Sequence, residues 1–234
     1  MVPDSNPGAQ VGPTRVEGDE RSENGTELSP PWAFRSNDFG RIFSLSDGVF
    51  AFSMTLLVLG LALPASAEGS ALASYLASSK FFSALYAYVI TFFIISLWWR
   101  THSLQFSYIR SHTRRLGQFN TAFLIFIAIL PFATQVLGAS GSSPVGVIFF
   151  ATIQVACGVT LAALWLYAAG PGRLTDPRLP KSWERYLTLS TVAVPLVFGL
   201  SIPIALVSVQ YAPIVWVGAL IIPLHLRRSV QRGP

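Results

Sequence analysis

Charge is scarce in this 234-residue chain. Only 12% of its residues are Asp, Glu, Lys or Arg, where soluble domains carry roughly 25%. With 52% hydrophobic residues and a mean hydropathy of +0.52, the composition is that of an integral membrane protein without room for a large soluble domain. Cysteine is nearly absent. Cys157 stands alone in an apolar run, which excludes an intrachain disulfide and leaves it a small packing residue. Histidine is limited to His102, His112 and His225, no two at metal-ligand spacing on a helix. There is no phosphate loop, no dinucleotide fingerprint and no second carboxylate to pair with the one inside the apolar runs. An enzyme is therefore not expected, nor a metal or cofactor. No row of arginines is present, so strong voltage gating is not expected either. Residues 1–40 lack the apolar core of a signal peptide. They hold seven acidic residues and three arginines among Pro, Gly and Ser, the composition of a disordered tail that could meet a soluble partner.

What is abundant is long apolar sequence. Six segments, about 43–63, 81–103, 119–138, 145–168, 187–208 and 212–226, are candidates for membrane-spanning helices. The last is the shortest, and Pro213 fits its first turn. The pI of 9.7 does not imply a nucleic-acid partner, because the basic residues flank these spans. Alternating the spans puts 15 of the 16 Lys and Arg residues on one side and only Lys80 on the other. By the positive-inside rule this predicts a multi-pass protein of the cell membrane with both termini cytoplasmic, residues 229–234 forming a short C-terminal tail.

The first span, RIFSLSDGVFAFSMTLLVLGLALP from Arg41 to Pro64, carries Asp47, the one carboxylate in any long apolar run. An ionisable group there marks a functional or helix-organising site, or a helix-start residue within reach of interfacial water. At 100° per residue, Leu45, Gly48, Phe52, Thr55 and Leu59 fall within about 80–160° of Asp47 and make one apolar stripe with a single hydroxyl. Such a stripe can line a narrow symmetric pore, with apolar rings at Leu45, Phe52 and Leu59, a hydroxyl ring at Thr55, and Gly48 on the wall. It can equally pack against other helices. Candidate partners for Asp47 at the same end are Arg41, His102 and Asn120, which could form one polar knot that fixes how three helices meet. Trp98, Trp99 and Tyr108 are candidate interface anchors.

The same residues resemble the transmembrane protein 175 family of potassium channels in its six-span prokaryotic form. The likeness rests on Arg41, Leu45-Ser46-Asp47-Gly48-Val49-Phe50-Ala51 and Thr55-Leu56-Leu57. Trp99 with His102, and Asn120 with Leu130-Pro131-Phe132, follow in order. It extends from residue 41 to about 228. It implies an all-α homotetramer of six-span subunits with the first helices around a central pore. It also implies the apolar constriction at Phe52, the selectivity hydroxyl at Thr55, and a structural network of Arg41, Ser46, Asp47, His102 and Asn120. Leu45 replaces the motif's Phe, Phe52 its usual Leu or Ile, and Ser103 stands where a second His is common.

The reading is a potassium-selective leak-type channel over residues 41–228, with potassium the permeant ion and no cofactor. Selectivity should be modest, since no Thr-Val-Gly-Tyr-Gly filter is present. The rivals are a proton-conducting channel and a non-conducting membrane scaffold.

Overall fold

Side chains that can end a helix recur where the apolar runs begin. Ser78 Oγ accepts from Phe81 N, Thr113 Oγ1 from Leu116 N and Ser143 Oγ from Val145 N, each using one of the amides a helix start leaves unpaired. Pro144 follows Ser143 at a helix-start position, where its missing N–H costs nothing. The computed structural model describes residues 36–61, 63, 69–140 and 143–231, all within one compact unit. Most of the expected 1–40 tail, through residue 35, and residues 232–234 lie outside the described residues.

The helices are α1 (Ser36–Leu56), which tightens into a 3₁₀ turn over Leu57–Leu61, then α2 (Ser70–Leu76), α3 (Ser79–Tyr108), α4 (Arg114–Ala139), α5 (Pro144–Ala169), α6 (Lys181–Val207) and α7 (Ala212–Gln231). The ends run past the apolar segments because caps and loops terminate a helix, whereas the edge of an apolar run does not. Thus α1 starts before Arg41 and α7 continues through residues 229–231. The short α2 has no counterpart among the apolar segments.

The fold is all-α and largely membrane-spanning. Among the described residues five helical stretches are long and apolar enough to cross a bilayer: Gly40–Leu61, Ser79–Tyr108, Arg114–Ala139, Pro144–Ala169 and Lys181–Val207. The sixth expected segment lies in α7, outside those five stretches. It runs antiparallel to α6. Trp216 Nε1 donates to Ser201 Oγ (3.0 Å), Gly218 faces Val197, and Leu226 packs on the cluster of Trp165, Tyr186 and Leu187.

Helices α4 and α5 form the centre. In their most apolar windows 44% of residues are buried, against 22% for α1, so α1 lies at the periphery of the subunit. Phe123, Ile127, Leu130, Phe150, Leu161 and Phe198 are fully enclosed. The small residues of α5 permit close approach. A Cβ on Gly158 would lie 2.6 Å from Pro195 of α6, closer than van der Waals contact allows, so only glycine lets these helices meet. Buried polar pairs add directional contacts: Trp98 Nε1 to Gln154 Oε1 (2.8 Å), Gln105 Nε2 to Thr191 Oγ1 (2.7 Å) and Thr134 Oγ1 to Thr91 Oγ1 (3.0 Å). At one end, the α3–α4 and α5–α6 loops pair as a short bridge at Ile109 and Thr175, closed by the Arg110–Asp176 ion pair at 3.0 Å.

Candidate functional site

The inward face of α1 carries a serine rather than a continuous apolar row. Ser46 is 0% exposed, and an enclosed hydroxyl needs partners. Its Oγ donates to the Ile42 carbonyl one turn earlier (2.9 Å) and accepts from Asn120 Nδ2 of α4 (3.0 Å). The Asn120 Oδ1 lies 2.8 Å from His102 Nε2 of α3. An amide oxygen can only accept, so Nε2 carries the imidazole proton. One carboxamide, donating on one side and accepting on the other, thus joins α1, α3 and α4 without burying a charge.

His102 is fully enclosed. Its ring stacks on Phe106 at 4.3 Å between centroids and on Phe123 at 5.6 Å, with Phe43 and Phe50 completing the cage. Its Nδ1 is buried without a hydrogen-bond partner among the described residues. Directed this way, the chain of bonds ends on a helix carbonyl, which holds a fixed orientation and offers no onward path for a proton.

Asp47 and Arg41 stand outside that chain of bonds. Asp47 Oδ1 accepts from Trp99 Nε1 of α3 at 2.8 Å. Arg41 is exposed, and among the described residues no ion pair or hydrogen bond joins it to Asp47. Six residues along a helix turn the side chain about 120° away from Asp47, so Arg41 falls on the outward stripe. Trp98 and Trp99 are more than anchors, since one binds Gln154 and the other Asp47. The period of α3 carries the signal for Trp98: Ala87, Thr91, Ile94, Ile95, Trp98, His102, Gln105 and Phe106 are its buried positions. Nothing in the local sequence marks Gln154 or Thr191 as partners, because those pairs join distant segments.

The opposite face of α1 is open. Leu45, Phe52 and Leu59 are 62%, 65% and 61% exposed, and Gly48 and Thr55 are exposed beside them. A Cβ on Gly48 would meet nothing within 4 Å, so no packing within the subunit requires glycine there. Thr55 Oγ1 donates to the Phe52 carbonyl at 2.8 Å, leaving the oxygen's lone pairs directed outward. The 3₁₀ turn from Leu57 rotates Leu59 by about 40–60° from its α-helical position, and it remains exposed. No group of three His, Cys, Asp or Glu side chains able to hold a metal occurs among the described residues.

Comparison with known proteins joins these observations. Residues 41–131 match the family model described as "Endosomal/lysosomal potassium channel TMEM175". A Streptomyces collinus potassium channel is 30% identical over 173 residues, covering 70% of this chain and 83% of that protein. A Chamaesiphon minutus potassium channel is 31% identical over 143 residues, 59% of this chain and 70% of its own length. The human endosomal/lysosomal proton channel TMEM175 is 27% identical over 100 residues, 43% of this chain and 20% of the human protein. The crystal structure of a lysosomal potassium-selective channel TMEM175 homolog from Chamaesiphon minutus shares the fold with a TM-score of 0.68 at 23% identity, covering 83% of this chain and 98% of that one. These relatives are named as ion channels, not enzymes. The chain belongs to the TMEM175 family.

Proposed function

We propose that this chain is the subunit of a potassium-selective, leak-type channel: a homotetramer of six-span subunits whose α1 helices surround the pore. The observation that carries this reading is the outward stripe of α1. Its largest side chains, Leu45, Phe52 and Leu59, are more than half exposed in a subunit whose other α1 face is packed. Four copies around an axis would convert that face into stacked rings. Phe52 then forms the apolar constriction, Thr55 supplies a hydroxyl ring to a partly dehydrated ion, and Gly48 widens the wall between Leu45 and Phe52. Four phenylalanine rings must tilt aside for an ion to pass, which makes Phe52 the gate.

The antiparallel course of α7 along α6 supports a sixth crossing, about 22 Å for residues 212–226. Six crossings together with the one-sided basic residues favour cytoplasmic termini in the cell membrane. The Ser46–Asn120–His102 chain of bonds and the Asp47–Trp99 pair act as framework, setting how α1 leans on α3 and α4. Arg41 sits on the stripe at its cytoplasmic end, so four guanidinium groups would ring the mouth and slow cation access.

The test is potassium flux into liposomes holding the purified chain, with Phe52→Ala beside the parent. Flux in both, faster in Phe52→Ala, is the expected result. Flux in Phe52→Ala alone would mean a pore that rests closed. No flux in either from folded tetramers would leave a non-conducting scaffold. A second reading, proton conduction, draws on the relatives named as proton channels. A reversal potential that follows pH rather than potassium would select it.

A further inference from the structure

Arg100 is the one basic residue inside the apolar span of α3, and it lies about 12 Å before that helix ends at Tyr108. A guanidinium at that depth needs a counter-charge or a route to the interface. Among the described residues it has no ion pair. Asp47, engaged by Trp99, lines a second cavity to which Arg100 also contributes, without an ion pair between the two among the described residues.

Helices α3 and α6 leave between them a cavity of about 590 Å³ to which Arg100 contributes. The cavity is graded along its length. Ile94 and Phe198 make its deep end, Arg100 and Ser190 its middle, and Ser107 and Trp183 its end nearest the loops. Ser103 Oγ, on the same wall, is buried and has no hydrogen-bond partner among the described residues. A hydroxyl left so costs about 1–3 kcal/mol unless something satisfies it. The cavity thus offers a guanidinium without an ion pair among the described residues and an unpaired hydroxyl above an apolar trough, with Trp183 at the level where indoles meet lipid headgroups.

We infer that this α3–α6 cleft is a site for an anionic phospholipid of the leaflet facing the basic loops. The headgroup phosphate sits between Arg100 and Ser103, and one acyl chain lies along Val194 and Phe198. The inference needs only a membrane-embedded chain and holds whether or not the protein conducts.

The test is tryptophan quenching in vesicles of brominated phosphatidylglycerol against brominated phosphatidylcholine, with the full-length protein. The parent is expected to favour the anionic lipid by about fivefold, the scale of one guanidinium–phosphate contact. Arg100→Gln should bring the ratio close to one and Arg100→Lys should keep most of it. Ser107→Asp, an exposed position that leaves Arg100 in place, should lower the ratio by placing a carboxylate at the mouth. Arg173→Gln, in the α5–α6 loop outside the cavity, should leave it unchanged. A parental ratio of one would overturn the site. So would a ratio that Arg100→Gln and Ser107→Asp both leave at the parental value, which would mean a neighbouring subunit covers the cleft or that general surface charge attracts the lipid.

Discussion

The two faces of α1 obey opposite rules. The inward face, with Ser46, Phe50, Ser53 and Leu57 almost wholly enclosed, has every contact supplied by the same chain. Ser46 on this face pairs with Asn120, and Phe50 packs on His102 and Phe123. The outward face, with Leu45, Phe52 and Leu59 mostly exposed, receives nothing from the subunit. The lesson is that one helix can be rigidly held along one side while its other side stays free to serve an assembly. Substitutions on the inward face should therefore change stability and leave ion preference alone, and those on the outward face should do the reverse.

The largest separation is expected at Phe52. Phe52→Ala should raise potassium flux by roughly tenfold, equivalent to about 1.4 kcal/mol of barrier, with the thermal midpoint of the detergent-solubilised protein unchanged. A large fall in that midpoint would mean the side chain packs against something and does not face a pore. Next comes Asn120→Leu, which strands the His102 N–H and removes the donor to Ser46. It should cost about 1–3 kcal/mol of stability, read from the same melting curve, while the potassium-to-sodium permeability ratio of the surviving protein stays parental.

Thr55→Val should lower preference for potassium over sodium without a change in melting, because among the described residues the hydroxyl bonds to its own helix. An unchanged reversal potential in mixed salts would remove Thr55 from the filter. A smaller effect is expected at Arg41. If it rings the mouth, Arg41→Gln should raise conductance about twofold near 0.01 M salt, where screening reaches about 30 Å, and have no effect near 1 M, where it reaches about 3 Å. An effect independent of salt would return Arg41 to a structural role.

The smallest effect should be at the loop pair. Asp176 accepts from the Arg178 amide and from Arg110, and these contacts hold its carboxyl below the ordinary carboxylate value. A carboxyl lowered on folding contributes stability above its unfolded value, and that contribution is lost as pH falls through the lower folded value. Asp176→Asn should therefore slightly lower stability at neutral pH, leave it unaltered at the acid end, and so flatten the acid limb of the stability profile. Arg110 is 65% exposed and solvent screens the pair, which is why the effect stays small.

Much of this was legible in the sequence because it is periodic or local. Apolar runs place the five long helices within a few residues, since a helix in lipid must satisfy its backbone internally and show apolar side chains on all sides. The 3.6-residue period places Leu45, Gly48, Phe52 and Thr55 on one face. Helix ends were less legible, because α1 and α7 continue into polar sequence. The 3₁₀ turn at Leu57–Leu61 carries no residue that announces it. The Asp47–Trp99 bond was not legible, because the candidates Arg41, His102 and Asn120 were chosen for charge and polarity, whereas Trp99 is distant in sequence and neutral.

By itself the sequence determined that the chain is helical and membrane-embedded, and which side chains share each helix face. These follow from composition and from the fixed geometry of one helix. Only the tertiary structure decided which face of α1 turns inward, that Asn120 is the amide joining three helices, that Asp47 pairs with Trp99, and that α3 and α6 part to leave a cleft at Arg100. Each of those depends on how helices far apart in sequence approach one another. In a membrane interior that approach is set by shape and by the few polar atoms that must find partners, and no local run of residues encodes it.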